Sequence, residues 1–459
     1  MTAISSTDTI NNLVNKLQRS VSIAPLVVFR IVFGALMAAS SIRFVANGWV
    51  HELYGTPKMF FSYYGFDWLP KISETVVLLL FILMTIAYLM VMLGWFYKWS
   101  ASVAFVTFTY TELLDKTTYL NHYYFCSLIS FLLIFLPAHR YFSVDSYQQP
   151  SITNTHIPFW MIGLLQVQLG IVYFYAGLAK LNPDWLLDAM PLRFWLTSRN
   201  DLPVIGSFLD DMWVAYLFSW FGAIYDLVIP FVLWSKRWRP LGYLAVVIFH
   251  VLTRVLFPIG MFPFIMISAT LIFFSEEFHL KLLSKAQSLF KLRTQFGENL
   301  NWEWKNELLK KGMITLLVLY LLFQFIFPFR YALYPGKLFW TEQGFRFSWR
   351  VMLMEKAGVC FFYVKNPDTG MQTEVIVSDH LTPLQEKMMS TQPDMIIQFA
   401  HYLDAYYKQL GVRDPQVFAK CKVALNGARS KEFIDPNVDL SEIKDSWANK
   451  TWIRPFENE

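Results

Sequence analysis

The chain has 459 residues, of which 55% are hydrophobic, 18% aromatic and only 16% charged. Soluble domains carry about 25% charged residues, and a soluble chain of this length would need far more polar surface to cover its core. Disordered, collagen-like and disulfide-stapled secreted classes are excluded too, with 20 Gly, 21 Pro and only 3 Cys. The net charge of +5 is spread out and forms no basic stripe, so nucleic acid is not an expected partner. The composition implies a polytopic α-helical membrane protein, with membrane lipid as its surroundings.

Residues 1–20 are polar, and the first apolar run begins near Ser22 without a small-residue cleavage site, so it reads as a membrane helix rather than a signal peptide. A bilayer core needs about 20 apolar residues per helical span. Spans are expected at 22–41 (broken only by Arg30), 73–96, 100–114, 122–137, 157–178, 213–234, 240–257, 259–274 and 312–330. That makes about nine transmembrane helices, with Phe257-Pro258 marking either a joint or a re-entrant bend. The inside loops then hold Lys98, Arg140, the cluster Lys236, Arg237 and Arg239, and the basic run from Lys281 to Lys311. This puts the N-terminus in the cytoplasm and, for an odd number of spans, the C-terminus on the opposite side.

Two domains are expected: residues 1–330 as the transmembrane domain, and 331–459 as a soluble α/β domain of strands and then helices. Strands are predicted at 359–364 and 374–377 around the turn Asn366-Pro367-Asp368-Thr369-Gly370, and amphipathic helices at 384–389 and 395–409. The cysteines fit no zinc spacing. Cys360 and Cys421 read as free thiols, with a bridge left open should their domain face an oxidising compartment.

Ionisable groups inside apolar spans are costly and therefore mark candidate sites. Four places qualify: Asp115-Lys116 with Asn121-His122, Lys180 after an aromatic run, Asp226, and His250. Each also has a plain reading. Asp115 and Lys116 form an interfacial ion pair, Lys180 snorkels to the headgroups, Asp226 makes a polar contact between helices, and His250 is a satisfied core imidazole. The aromatic stretch from Phe339-Trp340 to Trp349 reads equally well as an interfacial belt.

Taken in order, several short pieces resemble the vitamin K-dependent gamma-glutamyl carboxylases and their bacterial relatives. They are Leu114-Asp115-Lys116-Thr117 with Asn121-His122; Ser143-Val144-Asp145; Val172-Tyr173-Phe174 through Ala176-Gly177 to Lys180-Leu181, then Asp184-Trp185; and Phe257 with Ile259-Gly260-Met261-Phe262. In the C-terminal part Trp340-Thr341, Ser348-Trp349 and Phe433-Ile434-Asp435-Pro436 with Val438-Asp439 follow.

The resemblance implies a bacterial inner-membrane carboxylase with three small co-substrates: vitamin K hydroquinone, O2 and CO2. It needs no metal and no biotin. Lys180 matches the family's catalytic lysine, whose neutral amine deprotonates the hydroquinone. Oxygenation then yields the strong base that removes a γ-proton from glutamate in a protein or peptide substrate, and vitamin K epoxide leaves. His122 matches the histidine that holds this lysine. Asn121, Tyr173 and His250 are expected around the quinone, and Trp340, Phe345 and Trp349 in the glutamate-binding segment.

Three departures bear on these roles. The vertebrate enzymes have Lys-Lys at Ala179-Lys180, and Tyr-Gly-Tyr-Ser-Trp where this chain has Phe345-Arg346-Phe347-Ser348-Trp349. The family's usual Asn three residues beyond the pocket histidine is Thr253. Epoxidation without glutamyl carboxylation is the alternative enzyme reading. A quinone-binding scaffold or transporter is the non-enzyme one, and it would call for repeated broken helices, which the sequence lacks.

Overall fold

The computed structural model describes residue 12 and residues 14–291, 300–304 and 306–456. Residues 1–11 and 13 of the polar N-terminus, and 292–299 of the basic run, lie outside the described residues.

A short strand β1 (Ser20–Ser22) leads into α1 (Ala24–Ala46), followed by α2 (Glu74–Leu93), α3 (Tyr97–Leu114) and α4 (Asn121–Phe135). Strand β2 (His156–Pro158) pairs antiparallel with β1 and precedes α5 (Trp160–Ala179). Helices α6 (Met212–Trp234), α7 (Arg239–Leu256), α8 (Phe262–Ala269), α9 (Glu276–Phe290) and α10 (Glu307–Ile326) complete the bundle. Helix α1 packs on α2, α8 and α9, and α5 packs on α6.

Among the described residues, six helices are long and apolar enough to cross a membrane, or up to seven if the pair 262–273 and 276–290, bent by 117°, is one span. The expected count of nine is not confirmed. Helix α4 has only 15 residues, α3 falls short in apolarity, and 259–274 is a broken segment rather than a straight span. Arg30, the charge in the middle of α1, is buried, and it donates to the carbonyls of Ala138 (2.8 Å) and Phe142 (2.7 Å). Those bonds offset the desolvation that would otherwise exclude it.

Beyond α10 the chain forms a four-stranded antiparallel sheet in the order β4-β3-β5-β6, with β3 at Lys356–Lys365, β4 at Gln372–Val375, β5 at Gln416–Leu425 and β6 at Lys431–Glu432. Helices α11 (Pro383–Met389) and α12 (Pro393–Gln409) sit between β4 and β5 in the chain and pack on the sheet. Along β5, Val417, Ala419, Cys421, Val423 and Leu425 are buried in strict alternation, as a half-covered strand requires. They meet Phe362 of β3 and Phe399 of α12 in one core.

Cys360 and Cys421 are bridged, which corrects the free-thiol reading. Register explains it: the two stand directly opposite on β3 and β5 with Cα atoms 4.1 Å apart, a juxtaposition invisible across 61 residues of sequence. Cys126 is buried and free. For a loop of that length the bridge should contribute roughly 4 kcal/mol through the unfolded chain. Replacing both cysteines by serine should therefore lower the denaturation midpoint of this domain, and non-reducing mass mapping of the wild type should recover the linked peptides.

Candidate active site

Helix α5 ends at Lys180 because Asn182 starts a new turn. Its side chain accepts from Trp185 N (3.0 Å) and donates to Ala179 O (2.9 Å). The turn swings Trp185 back over the lysine, with Nζ 5.5 Å from the indole centroid. Helix α6 approaches from the other side because Gly177 allows it: a Cβ there would stand 2.7 Å from Leu227 N. Small residues at such crossings let membrane helices pack backbone to backbone.

This close approach brings Asp226 to Lys180. Lys180 Nζ donates to Asp226 Oδ2 at 2.6 Å and to Ala176 O at 3.3 Å. Lys180 is 6% exposed and Asp226 4%, so the lysine does not snorkel: it sits in a buried ion pair.

The pair faces a cavity of ≈ 90 Å³ walled by aromatic side chains, among them Trp185, Phe249, Phe257 and Phe262, and closed by Val351 and Met352 from the C-terminal domain. Tyr173 and His250 also line it, joined by a 2.9 Å hydrogen bond between the tyrosine hydroxyl and Nε2. His250 Nδ1 is buried and has no hydrogen-bond partner among the described residues, so it is not a fully satisfied core imidazole. Flat aromatic walls around a buried cation and an unengaged imidazole nitrogen suit a planar, hydroxyl-bearing ring.

The structure thus brings Lys180, Tyr173 and His250 into one cavity and leaves the other expected residues outside it. His122 makes no hydrogen bond to Lys180, whose ammonium goes to Asp226. Its ring packs 5.6 Å from Phe262, which stands 5.6 Å from His250 on its other side. One aromatic layer therefore separates His122 from the cavity.

Asn121 does not line the cavity either. Its amide is consumed by Tyr119 (OH to Oδ1, 3.1 Å) and by the carbonyl of Arg350 (from Nδ2, 3.0 Å). It staples the segment around Arg350 to α4. Trp340 is fully buried in the C-terminal domain against Phe433 and Phe456, with Nε1 on Arg454 O at 2.7 Å; it is a core residue and cannot face a substrate. Trp349 stacks on Tyr124 at 4.9 Å. Phe345 packs at 6.3 Å from Phe339 and lines a separate cavity of ≈ 600 Å³ between α3, α4, α10 and the C-terminal domain.

Sequence reasoning missed two things here. Asp226 was visible as an intramembrane acid, but its pairing with Lys180 depends on the Gly177 crossing. Lys116 was matched with its neighbour Asp115, whereas its Nζ bonds Asp394 Oδ2 at 2.8 Å. Arg346 Nη1 reaches the same oxygen at 2.6 Å. Asp115 is instead occupied by Thr117, Gln385 and the backbone of Phe61. Among the described residues, no group of three or more His, Cys, Asp or Glu is placed to hold a metal ion.

The Arg346–Asp394–Lys116 cluster joins the two parts of the molecule. Burial alone would raise the Asp394 carboxyl, but Arg346 and Lys116 overcome this and hold it well below the usual carboxylate range. A depressed acid contributes its stability fully above the unfolded value of about 3.9 and loses it as pH falls further. Asp394→Asn should cost about 3–5 kcal/mol by leaving buried cations unpaired. The difference in melting temperature between wild type and variant should be flat from pH 5 to 8 and shrink only below about pH 4.

Fold and site together define a helical membrane protein with a buried lysine–aspartate site under an extramembrane α/β domain. Comparison with known families gives this class a name. Residues 18–278 match the HTTM domain, and residues 309–459 match the lumenal domain of vitamin K-dependent gamma-carboxylase. The chain belongs to the gamma-glutamyl carboxylase family. No solved structure matches it.

Proposed function

We propose that this protein is an integral membrane enzyme that oxygenates vitamin K hydroquinone to its epoxide and couples that reaction to γ-carboxylation of glutamate in a protein or peptide, with CO2 as the carbon source. The observation that carries the reading is Lys180: a buried amine at the end of an aromatic helix, in an aromatic cavity, where the family has its catalytic lysine. Lys180 Nζ accepts the proton of the substrate hydroxyl. To do so it must first be neutral, and Asp226 at 2.6 Å can take the ammonium proton along their hydrogen bond. Tyr173 and His250 orient the ring, and the aromatic walls keep water away from the strong base formed on oxygenation.

The disulfide between Cys360 and Cys421 favours a C-terminal domain in an oxidising compartment, opposite a cytoplasmic N-terminus in a bacterial inner membrane. That arrangement requires an odd number of spans, which the bent pair supplies when it counts as one.

The test is an assay in detergent with vitamin K hydroquinone, O2, labelled bicarbonate and a glutamate-containing peptide. Epoxide with labelled peptide is the expected result. Epoxide without label would favour the alternative of epoxidation alone, which the loss of both tyrosines at Phe345 and Phe347 keeps in view. Absence of both products would defeat the reading.

A further inference from the structure

The ≈ 600 Å³ cavity between α3, α4, α10 and the C-terminal domain takes no part in the proposed reaction, and it has the size of a ligand site. One face of α3 lines it with Phe105, Thr109 and Glu112, and Lys116 follows just beyond the helix end. That spacing of i, i+4 and i+7 puts the three side chains in a row. The row turns from apolar to charged as α3 runs toward the C-terminal domain. Leu128 and Phe131 of α4 join Phe105 at the deep end, where the two phenyl rings lie 5.5 Å apart. Arg330, Arg346, Asp394 and Lys450 gather at the other end. From Phe105 to Glu112 the helix rises about 10 Å, against about 15 Å for the hydrocarbon of one leaflet.

Most charges around this cavity are matched. Asp394 is shared by Lys116 and Arg346, Lys450 Nζ stands 3.4 Å from Asp445, and Glu342 takes Lys356 at 2.7 Å. Two are not. Glu112 makes no hydrogen bond and no ion pair among the described residues. Thr109 Oγ1, one turn deeper, is also buried without a partner there. Arg330 meets no carboxylate among the described residues: its N–H groups go to Phe327 O (3.1 Å), Ser348 Oγ (2.8 Å) and Arg346 O. An acid and a guanidinium left unmet in one largely apolar cavity are costly. A single ligand that carries both a cation and an anion satisfies both.

The cavity also opens toward the bilayer. Helix α10 buries only Leu317 and Gln324 of its 20 residues. Hydrogen bonds fasten it to α4 (Gln324 Nε2 to Tyr124 OH, 2.9 Å) and to α5 (Tyr320 OH to Gln168 Oε1, 2.6 Å). Among the described residues no side-chain hydrogen bond ties it to α3, and the gap is bordered by outward-facing Val106 (60% exposed) and Phe323 (48%). We propose that this cavity binds one glycerophospholipid with a zwitterionic, ammonium-bearing headgroup, of the phosphatidylethanolamine kind. The phosphate meets Arg330, whose planar fork suits a pair of phosphate oxygens, as in other basic headgroup pockets between membrane helices. The ammonium meets Glu112, with the Tyr63 ring beside it. An acyl chain runs past Phe105 and Phe131 and leaves between α3 and α10. Glu112 decides the headgroup: a purely anionic lipid brings it no cation, and a choline headgroup has no N–H to donate.

The test uses the full chain, stripped of lipid in detergent, with phosphatidylethanolamine, phosphatidylcholine or phosphatidylglycerol added in mixed micelles. Native mass spectrometry reads the lipid bound, and thermal unfolding reads the stabilisation it brings. Wild type should hold one phosphatidylethanolamine, about tenfold or more tighter than either other lipid, the weight of one charged hydrogen bond. Glu112→Gln should abolish that preference while leaving the choline lipid's affinity unchanged. Because this variant removes an unmet carboxyl, it should melt no lower than wild type without lipid. Arg330→Gln should weaken all three lipids alike, since each has the phosphate, and Arg330→Lys should recover part of the loss. If wild type retains no lipid, or Glu112→Gln keeps the headgroup preference, the site does not exist. Preference for phosphatidylglycerol, or displacement of the bound lipid by a soluble glutamate-containing peptide, would also overturn the assignment. Binding is read without quinone, so the result stands or falls independently of the epoxide assay.

Discussion

Lys180→Ala is expected to lose both epoxide and labelled peptide, with the rate of epoxide formation falling by a factor on the order of 10² to 10⁴, the range for removal of a positioned general base. The geometry gives the reason. Among the described residues no other amine lines the aromatic cavity, and His250, which lines it too, is tied through Nε2 to Tyr173. The alanine leaves space where the methylenes ran past Gly222, so a small primary amine in the buffer should restore part of the activity, and more of it as pH rises and the free amine becomes abundant. Chemical rescue separates a base from a structural prop, since an added amine cannot rebuild packing. Full activity in Lys180→Ala would remove the lysine from the mechanism.

What the sequence revealed depended on how local the signal was. The strand pair around Asn366-Pro367-Asp368-Thr369-Gly370 and the two following helices are set by short-range alternation and turn residues, and they appear at 356–365, 372–375, 383–389 and 393–409. Strand β5 was not foreseen, although its alternation from Val417 to Leu425 is regular, because alternating lysines read as surface until a partner strand is known.

The expected count of nine is not confirmed: the helices at 97–114 and 121–135 are too weakly apolar or too short to count as spans by length and composition. Lys180 and His250 were legible as polar groups in apolar helices, and Tyr173 only through the family resemblance. The roles expected for Asn121, His122 and Trp340 were not, because adjacency in a motif does not say which way a side chain points once Tyr119, Phe262 and Phe433 compete for it.

Asp226→Asn is expected to have the second large effect, on stability and activity together. Asn would keep an oxygen for Lys180 Nζ but no charge, so the ammonium would lie uncompensated among Trp185, Phe249 and Phe257. Breaking a buried pair from one side costs about 3–5 kcal/mol, which should appear as a lower melting temperature in detergent. Lys180→Met combined with Asp226→Leu removes both charges, and the double variant should regain most of that stability, because a well-packed apolar pair of similar volume is often no worse than the ion pair. A double-mutant cycle then yields a coupling energy above the few tenths of a kcal/mol seen for independent sites. Activity should not follow stability: Asp226→Asn loses epoxide formation because nothing accepts the ammonium proton, and the stable double variant stays inactive for want of the amine. If Asp226 served only as a polar contact between α5 and α6, Asn would retain that contact, and both the melting temperature and the rate of Asp226→Asn would stay near wild type. The two outcomes differ in sign on two independent measurements, which makes this aspartate the sharpest probe of whether the buried pair prepares the base or merely fastens the helices.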